Sequence, residues 1–490
     1  MKKIIAILAV LCLTAGCLIG CGPAEEAAIA EDPNTVPEDT YEINWYLMCE
    51  AQNDVSSVET AINEYLKDKI NATVKLNCLP SGQYQQKVST MINANEYLDL
   101  CFVSAWALNY TENSRAGAFV ALDDYLDTYL KDAAANFDEE ILDYARVDGS
   151  LYALPTNKEL TTQLGWVYRK DIADKYNIDM TQYKTFEDLE PVLQMIKENE
   201  PDMNYPIDWS SGGTPDVLYN ANLNFIPVNG TLSEEQAVNV YDTEEFRRSC
   251  EVARDYYNKG LVRPDVLTAT DMLQRMKEGK TFAIMTQIKP GKAEELFGDS
   301  AYEFAQADIT VPYIDYLAGT GSMQAIPASS KNPARVMRFL NLLNTDPYLK
   351  NLVIHGIEGK HYNKIDENTI EMIPGSGYDL HDSSWAIGNI FLDYVLTSED
   401  PTKLEQLQNY NQIAVDRKPN GFSPEQDDEM ERIKTEIDNV VDKYKKQLST
   451  GAVDPDGVIE EFNEQLNQCG MQEYIDWLQG QYDAYLQTLE

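Results

Sequence analysis

Histidine is nearly missing from this chain, with three in 490 residues. His355, His361 and His381 share one segment, but they form no H-E-x-x-H pair and have no cysteine nearby, so no metal site is expected. Basic residues are also scarce, 39 Lys and Arg against 81 Asp and Glu, for a net charge of −42. So acidic a chain is repelled by nucleic acid and by anionic lipid. The glycine-rich stretches "SSGGTP" and "GTGSM" lack a following Gly-Lys-Ser/Thr, which excludes a phosphate-binding loop, and there is no G-x-S-x-G nucleophile elbow. Nothing calls for a cofactor. Beyond residue 21 the cysteines are Cys49, Cys78, Cys101, Cys250 and Cys469, widely and irregularly spaced with no C-x-x-C. They read as buried thiols, with a single disulfide left open.

Only one long apolar run is present, Ile4 to Ile19, and it is short for a bilayer span of about 20 residues. Lys2 and Lys3 precede it and "LTAGCLIGCG" closes it, the layout of an export signal. The small-residue exit is a lipobox. "LIGC" places Leu18 and Gly20 before Cys21, a better match than "TAGC" before Cys17. Residues 1–20 are therefore expected to be removed and Cys21 to carry lipid. Loss of two lysines and no acid would take the net charge to −44 from −42. Residues 21–40 hold three prolines and six acids with little to bury, and read as a disordered tether. Two acyl chains on Cys21 would supply stable attachment to the outer face of a membrane.

The body alternates strand and helix. "INWYLMC" is a strand buried on both faces. Ser56 and Glu59 suggest a capping box for a helix whose Val58, Ile62 and Leu66 share a face. "ATVKLNCL", "YQQKVSTMINAN" and "LDLCFVS" continue as strand, helix, strand, the opening of a doubly wound parallel sheet. Asp148-Gly149 marks a turn, and residues 185–197 read as a helix that Pro191 should kink or interrupt. The last 65 or so residues look helical.

In order, "INWYLM", "KDKINATVKLN", "YQQKVSTMINANEYLDLCFVSAW", "VDGSLYALPTNKE", "EGKTFAIMTQ", "AIPASSKNPARVMRFLNLL" and "GIEGKHY" resemble the extracellular solute-binding lipoproteins of ABC importers. The segment from "NGFSPEQDD" to "EYIDWL" looks like the DUF3502-type tail of a subgroup. The resemblance implies an α/β, bilobed, periplasmic-binding-protein-like clamshell: two doubly wound lobes joined by crossing strands, with a helical C-terminal tail. Crossings would fall near Asn157–Leu160, near Phe304–Thr310 and after Arg335–Leu343. Lobe one would then be 41–157 plus 308–347, and lobe two 158–307 plus 348–490, with the tail packed on lobe two. Ligand would close the lobes as a hinge.

Candidate ligand contacts follow from aromatic residues in loops. Trp106 and Tyr110 come after the third buried strand, where open α/β sheets bind ligand. Trp209 lies among Asp208, Ser210 and glycines, a poor setting for burying an indole. Tyr378, His381 and Trp385 lie in a long aperiodic stretch, often functional in an α/β body. Asn157 and Glu159 would sit at the cleft floor. For each aromatic the alternative is a core position, and for Asn157 and Glu159 a hinge-stabilising role. Tyrosine outnumbers phenylalanine 30 to 13, which with the tryptophans favours a carbohydrate ligand, delivered by a monomeric, non-enzymatic receptor to permease subunits. A peptide receptor is the nearest alternative. A surface-anchored glycoside hydrolase, needing two carboxylates about 5–10 Å apart, is a further one.

Overall fold

The computed structural model describes residues 31–209, 225–228, 231–298, 300–314, 318–416, 422, 424 and 427–488. Cys21, the expected signal segment and "SSGGTP" lie outside them. The chain opens with β1 (Tyr41–Met48), α1 (Val55–Ile70), β2 (Ala72–Leu79), α2 (Ser81–Asn93), β3 (Leu100–Val103) and β4 (Ala153–Pro155). Ile43, Trp45 and Leu47 alternate into the core from β1, and Val58, Ile62, Leu66 and Ile70 face them from α1 at helical spacing. The expected capping box is absent. Glu59 instead accepts the Leu76 amide at 2.8 Å and pairs with Lys75, tying α1 to β2.

The first crossing runs through β5 (Thr161–Thr162) into β6 (Leu164–Arg169), α3 (Phe186–Asn199), α4 (Glu244–Lys259), β7 (Ala283–Gln287), α5 (Lys292–Phe297) and β8 (Phe304–Asp308). Helix α3 continues through Pro191, with the Thr185 hydroxyl accepting the Asp188 amide at its start. The order β7-β6-β8 makes a three-stranded antiparallel sheet over the core around Trp166, Leu193 and Phe282.

The return crossing is β9 (Tyr313–Ile314), leading to β10 (Met323–Ala325), α6 (Pro333–Thr345) and α7 (Pro347–His355). Lobe one is thus completed as a five-stranded sheet, β2-β1-β3-β10-β4, parallel through β2, β1 and β3 and antiparallel at β10. The last crossing uses α8 (Lys403–Gln412) and β11 (Val415–Asp416), after which α9 (Asp428–Ser449), α10 (Val458–Gln468) and α11 (Met471–Thr488) form the tail. Among the described residues no helix is long and apolar enough to cross a membrane.

Three expected boundaries need correction. Phe304–Asp308 is a strand of lobe two, paired with β6, so the return crossing falls at Tyr313–Ile314. Lobe one does not stop at 347, because α7 and Tyr378, Leu380, Ala386 and Ile387 join its core, and the third crossing comes only after them. Residues 31–40 of the expected disordered tether are held against lobe one, where Glu31 pairs with buried Arg335. Phe246 and Cys250 of α4 share a core with Ile433, Phe462 and Leu478 of the C-terminal helices. None of Cys49, Cys78, Cys101, Cys250 and Cys469 is joined in a disulfide.

The end of α9 reaches α4 through Gly451, whose φ of +74° and whose contact with the Ala253 carbonyl leave no room for a side chain. Arg254 Nη1 donates to the Gly451 carbonyl at 3.0 Å. Gly451→Ala should therefore destabilise lobe two by about 1–3 kcal/mol. Urea unfolding would check this, and an unchanged midpoint would show the tail contact to be loose.

Candidate functional site

The site lies between the lobes, in two adjoining chambers of about 420 and 320 Å³ that share Glu159, Lys289, Glu295 and Trp385. These volumes suit a small-molecule cleft, which spans about 300–1,000 Å³.

Lobe one supplies an aromatic wall. After β3, Ser104 accepts the Ala107 amide through its hydroxyl, and the Ala105 amide donates to the Thr320 carbonyl. This turn projects Trp106, 50% exposed, with its Nε1 donating to the Gly321 carbonyl at 2.8 Å. Trp385 stands beside it, ring centroids 6.1 Å apart, with Phe102 behind both at 5.6 and 5.7 Å. Trp385 is held by its neighbours' backbone. Ser322 Oγ donates to the Trp385 carbonyl, Gln324 Nε2 to Ala386, and Lys350 Nζ to Ile387, at 3.0, 2.6 and 2.7 Å. Lys350 is fully buried and paired with Asp393 at 3.1 Å.

The floor and opposite wall are charged. Lys289, just past β7, binds Glu159 and Glu295, each at 3.1 Å. Lys158 reaches Glu159 at 3.3 Å and Lys292 reaches Glu295 at 2.6 Å. Burial by itself would raise the Glu159 carboxyl, but Lys158 and Lys289 outweigh it and hold the pKa at about 2. Burial likewise opposes the Lys289 ammonium, which Glu159 and Glu295 keep above the usual lysine value. Glu159 Oε2 is buried and has no hydrogen-bond partner among the described residues. In the larger chamber, His381 Nε2 lies 3.1 Å from Glu399, which also pairs with Lys403. Burial disfavours the His381 cation, yet the Glu399 hydrogen bond raises its pKa overall. Burial also pushes Glu399 up, while His381 and Lys403 bring it down to about 2.

Of the expected contacts, Trp106, Trp385, Glu159 and His381 line the cleft. Tyr110 does not: fully buried, it donates to the Ala145 carbonyl at 2.7 Å and accepts the Tyr152 amide. Trp209 is also core, stacked on Tyr256 at 5.6 Å, with Nε1 donating to the Thr450 carbonyl at 3.4 Å. Its polar neighbour Asp208 is itself buried, between Arg263 and Arg275, so local polarity did not mark a surface loop. Tyr378 is buried too, donating to the Val353 carbonyl at 2.6 Å. Asn157 is not among the residues lining the two chambers: its amide donates to the Gly388 carbonyl and its carbonyl accepts from the Ile390 amide. Sequence reasoning missed Lys289, Glu295 and Tyr394. The only signal for Lys289 was its place after an apolar strand.

A cleft walled by both lobes, with three strands crossing behind it, defines a two-lobed ligand-binding protein. Residues 60–355, more than half of the chain, match the model of the bacterial extracellular solute-binding proteins, and the chain belongs to that family. Membership places it outside the cytoplasm. Residues 420–487 match DUF3502, a domain of unknown function. The chain is 26% identical over 473 residues to a carbohydrate ABC transporter substrate-binding protein of Streptococcus pneumoniae, covering 91% of each. It is 22% identical over 470 residues to the polygalacturonan/rhamnogalacturonan-binding protein YtcQ of Bacillus subtilis, covering 90% of this chain and 92% of that one. Among solved structures, the N-glycan transport solute binding protein NgtS of Streptococcus pneumoniae superposes with a TM-score of 0.82 at 24% identity, over 92% of this chain and 100% of that one. Its complexes with Man1GlcNAc and Man5GlcNAc give TM-scores of 0.75 and 0.72.

Glu159 generates a pH prediction. Its folded pKa near 2 lies below the ordinary value of 4.5, so its stabilising contribution is present above pH 4.5 and is lost as pH falls towards 2. Glu159→Gln should therefore melt below the wild type at pH 7, and the gap should close towards pH 2. Melting curves that stay equally separated across that range would show that the ion pairs do not set the carboxyl's titration.

Proposed function

We propose that this protein captures an oligosaccharide in the interlobe cleft and delivers it to the permease of an ABC importer, tethered to the membrane through lipid on Cys21. The carrying observation is the Trp106–Trp385 wall opposite the Glu159–Lys289–Glu295 group. A pyranose has one face of C–H groups and a rim of hydroxyls. The indoles offer apolar area to the first, and the carboxylates and ammonium groups offer hydrogen bonds to the second. The carbohydrate and polygalacturonan names of the two relatives support the same ligand class. Hydrolysis is disfavoured. A glycosidase needs one carboxyl with a raised pKa as general acid, whereas Glu159, Glu295 and Glu399 are all held low by cationic partners.

Trp106→Ala and Trp385→Ala should each weaken oligosaccharide binding about tenfold or more, the loss of roughly 1.4 kcal/mol of stacking. Trp209→Ala should instead lower the melting temperature. Calorimetric titration over a panel of oligosaccharides and short peptides checks this, with chromatography for released sugars. Full affinity in both cleft variants would sink the stacking model, and saturable peptide binding would replace the ligand class.

Closure is the second expectation. The weaker superposition on the two glycan complexes than on NgtS itself fits lobes that change their relation on binding. Small-angle scattering should show a smaller radius of gyration at saturating ligand. A constant radius would mean capture without closure.

A further inference from the structure

Arg335, on α6, is completely buried. A buried guanidinium needs a counter-charge, because an unpaired one is strongly destabilising. Its ion-pair partners among the described residues are Glu31, at 2.8 Å, and Asp39, at 3.7 Å, both from the segment before β1. The Glu31 pairing is two-pronged, with Arg335 Nε to Oε2 at 2.9 Å and Nη2 to Oε1 at 2.8 Å. Asn332 Nδ2 donates to the same carboxylate at 2.6 Å, Arg338 lies 3.8 Å from it, and the Tyr129 hydroxyl donates to the Glu31 carbonyl. Further along, Arg335 Nη1 donates to the Asp39 carbonyl at 3.2 Å, and Asn71 Nδ2 to the carbonyls of Pro37 and Glu38 at 3.0 and 3.1 Å. These contacts all lie on lobe one.

We infer that residues 31–40 form a strap docked on lobe one, and that it makes lobe one the lobe fixed near the membrane while lobe two swings. The membrane half rests on the lipid at Cys21. From Cys21 to Glu31 there are ten chain steps, which reach at most about 35 Å fully extended. Were the chain free as far as Tyr41, the reach would be about twice that. The strap thus halves the tether and ties its near end to one lobe. Arg335 and Glu31 recognise each other by the planar, two-hydrogen-bond fit of guanidinium and carboxylate, which Lys could not reproduce.

The test uses the mature, lipidated chain and Glu31→Ala, whose melting temperature and oligosaccharide affinity separate release of the strap from unfolding of lobe one around the stranded Arg335. Proteinase K should cut between residues 31 and 40 slowly in the wild type and at least tenfold faster in Glu31→Ala, with oligosaccharide affinity unchanged. Glu31→Asp, which keeps the charge, should restore part of the protection. Equal cleavage of wild type and Glu31→Ala would overturn the strap. For the membrane half, a dye placed at exposed Asp127, two residues from the Tyr129 that holds Glu31, or at Glu464, on the tail, is paired with an acceptor on lipid headgroups in liposomes. Transfer should be stronger from Asp127, and the difference should shrink in Glu31→Ala. Equal transfer from the two positions would overturn the fixed lobe. A chain that stays off the liposomes yet keeps its strap protected would instead refute lipid on Cys21 and, with it, the membrane half alone.

Discussion

Two residue pairs per strand hold the lobes in register. Thr161 and Thr162 lie opposite Ile314 and Tyr313, and those in turn lie opposite Asp416 and Val415. Everything else about the site depends on this three-stranded crossing, because both walls are built outward from it. Asn411 reinforces it, accepting the Leu160 amide at 2.8 Å and donating to the Lys158 carbonyl at 3.0 Å. A sheet this narrow ties the lobes together and, for the closure proposed above, would leave few hydrogen bonds to distort.

The charged group sits directly in front of that crossing. Glu159 belongs to the crossing itself, whereas Lys289 and Glu295 belong to lobe two, so the ion pairs join crossing to lobe without bridging the cleft mouth. With each acid matched by a lysine, the floor offers hydrogen-bonding capacity with little net charge, a better match to a neutral polyol than to a strongly charged solute. The tryptophan wall is rigid for a different reason. Its backbone is pinned from the core of lobe one, through Ser322, Gln324 and Lys350, and a stacking surface that does not reorganise loses little entropy on binding.

How much of this was legible depends on how local the signal was. The period-two burial of β1 and the helical spacing of Val58, Ile62 and Leu66 were plain in the chain, as was the position of Trp106 after a parallel strand. Tyr110, four residues further on, carried the same signal and proved to be core, since its hydroxyl is satisfied by the Ala145 carbonyl from a distant turn. The boundary of lobe one was misplaced for a similar reason. The stretch carrying Tyr378 and Trp385 has no periodicity of its own and takes its place from Val353, Gln324 and Lys350.

The sequence by itself determined the order of α/β blocks in lobe one, the helical tail and the family, because each is written in neighbouring residues or in a fixed order of short motifs. Tertiary structure decided which aromatics face ligand and which charges are matched. Trp209 is buried by a carbonyl 241 residues away, and Glu159 is held ionised by a lysine 130 residues away. Burial and ion pairing are properties of what packs against a side chain, and in a chain that crosses between lobes three times the packing partner is seldom a neighbour in sequence.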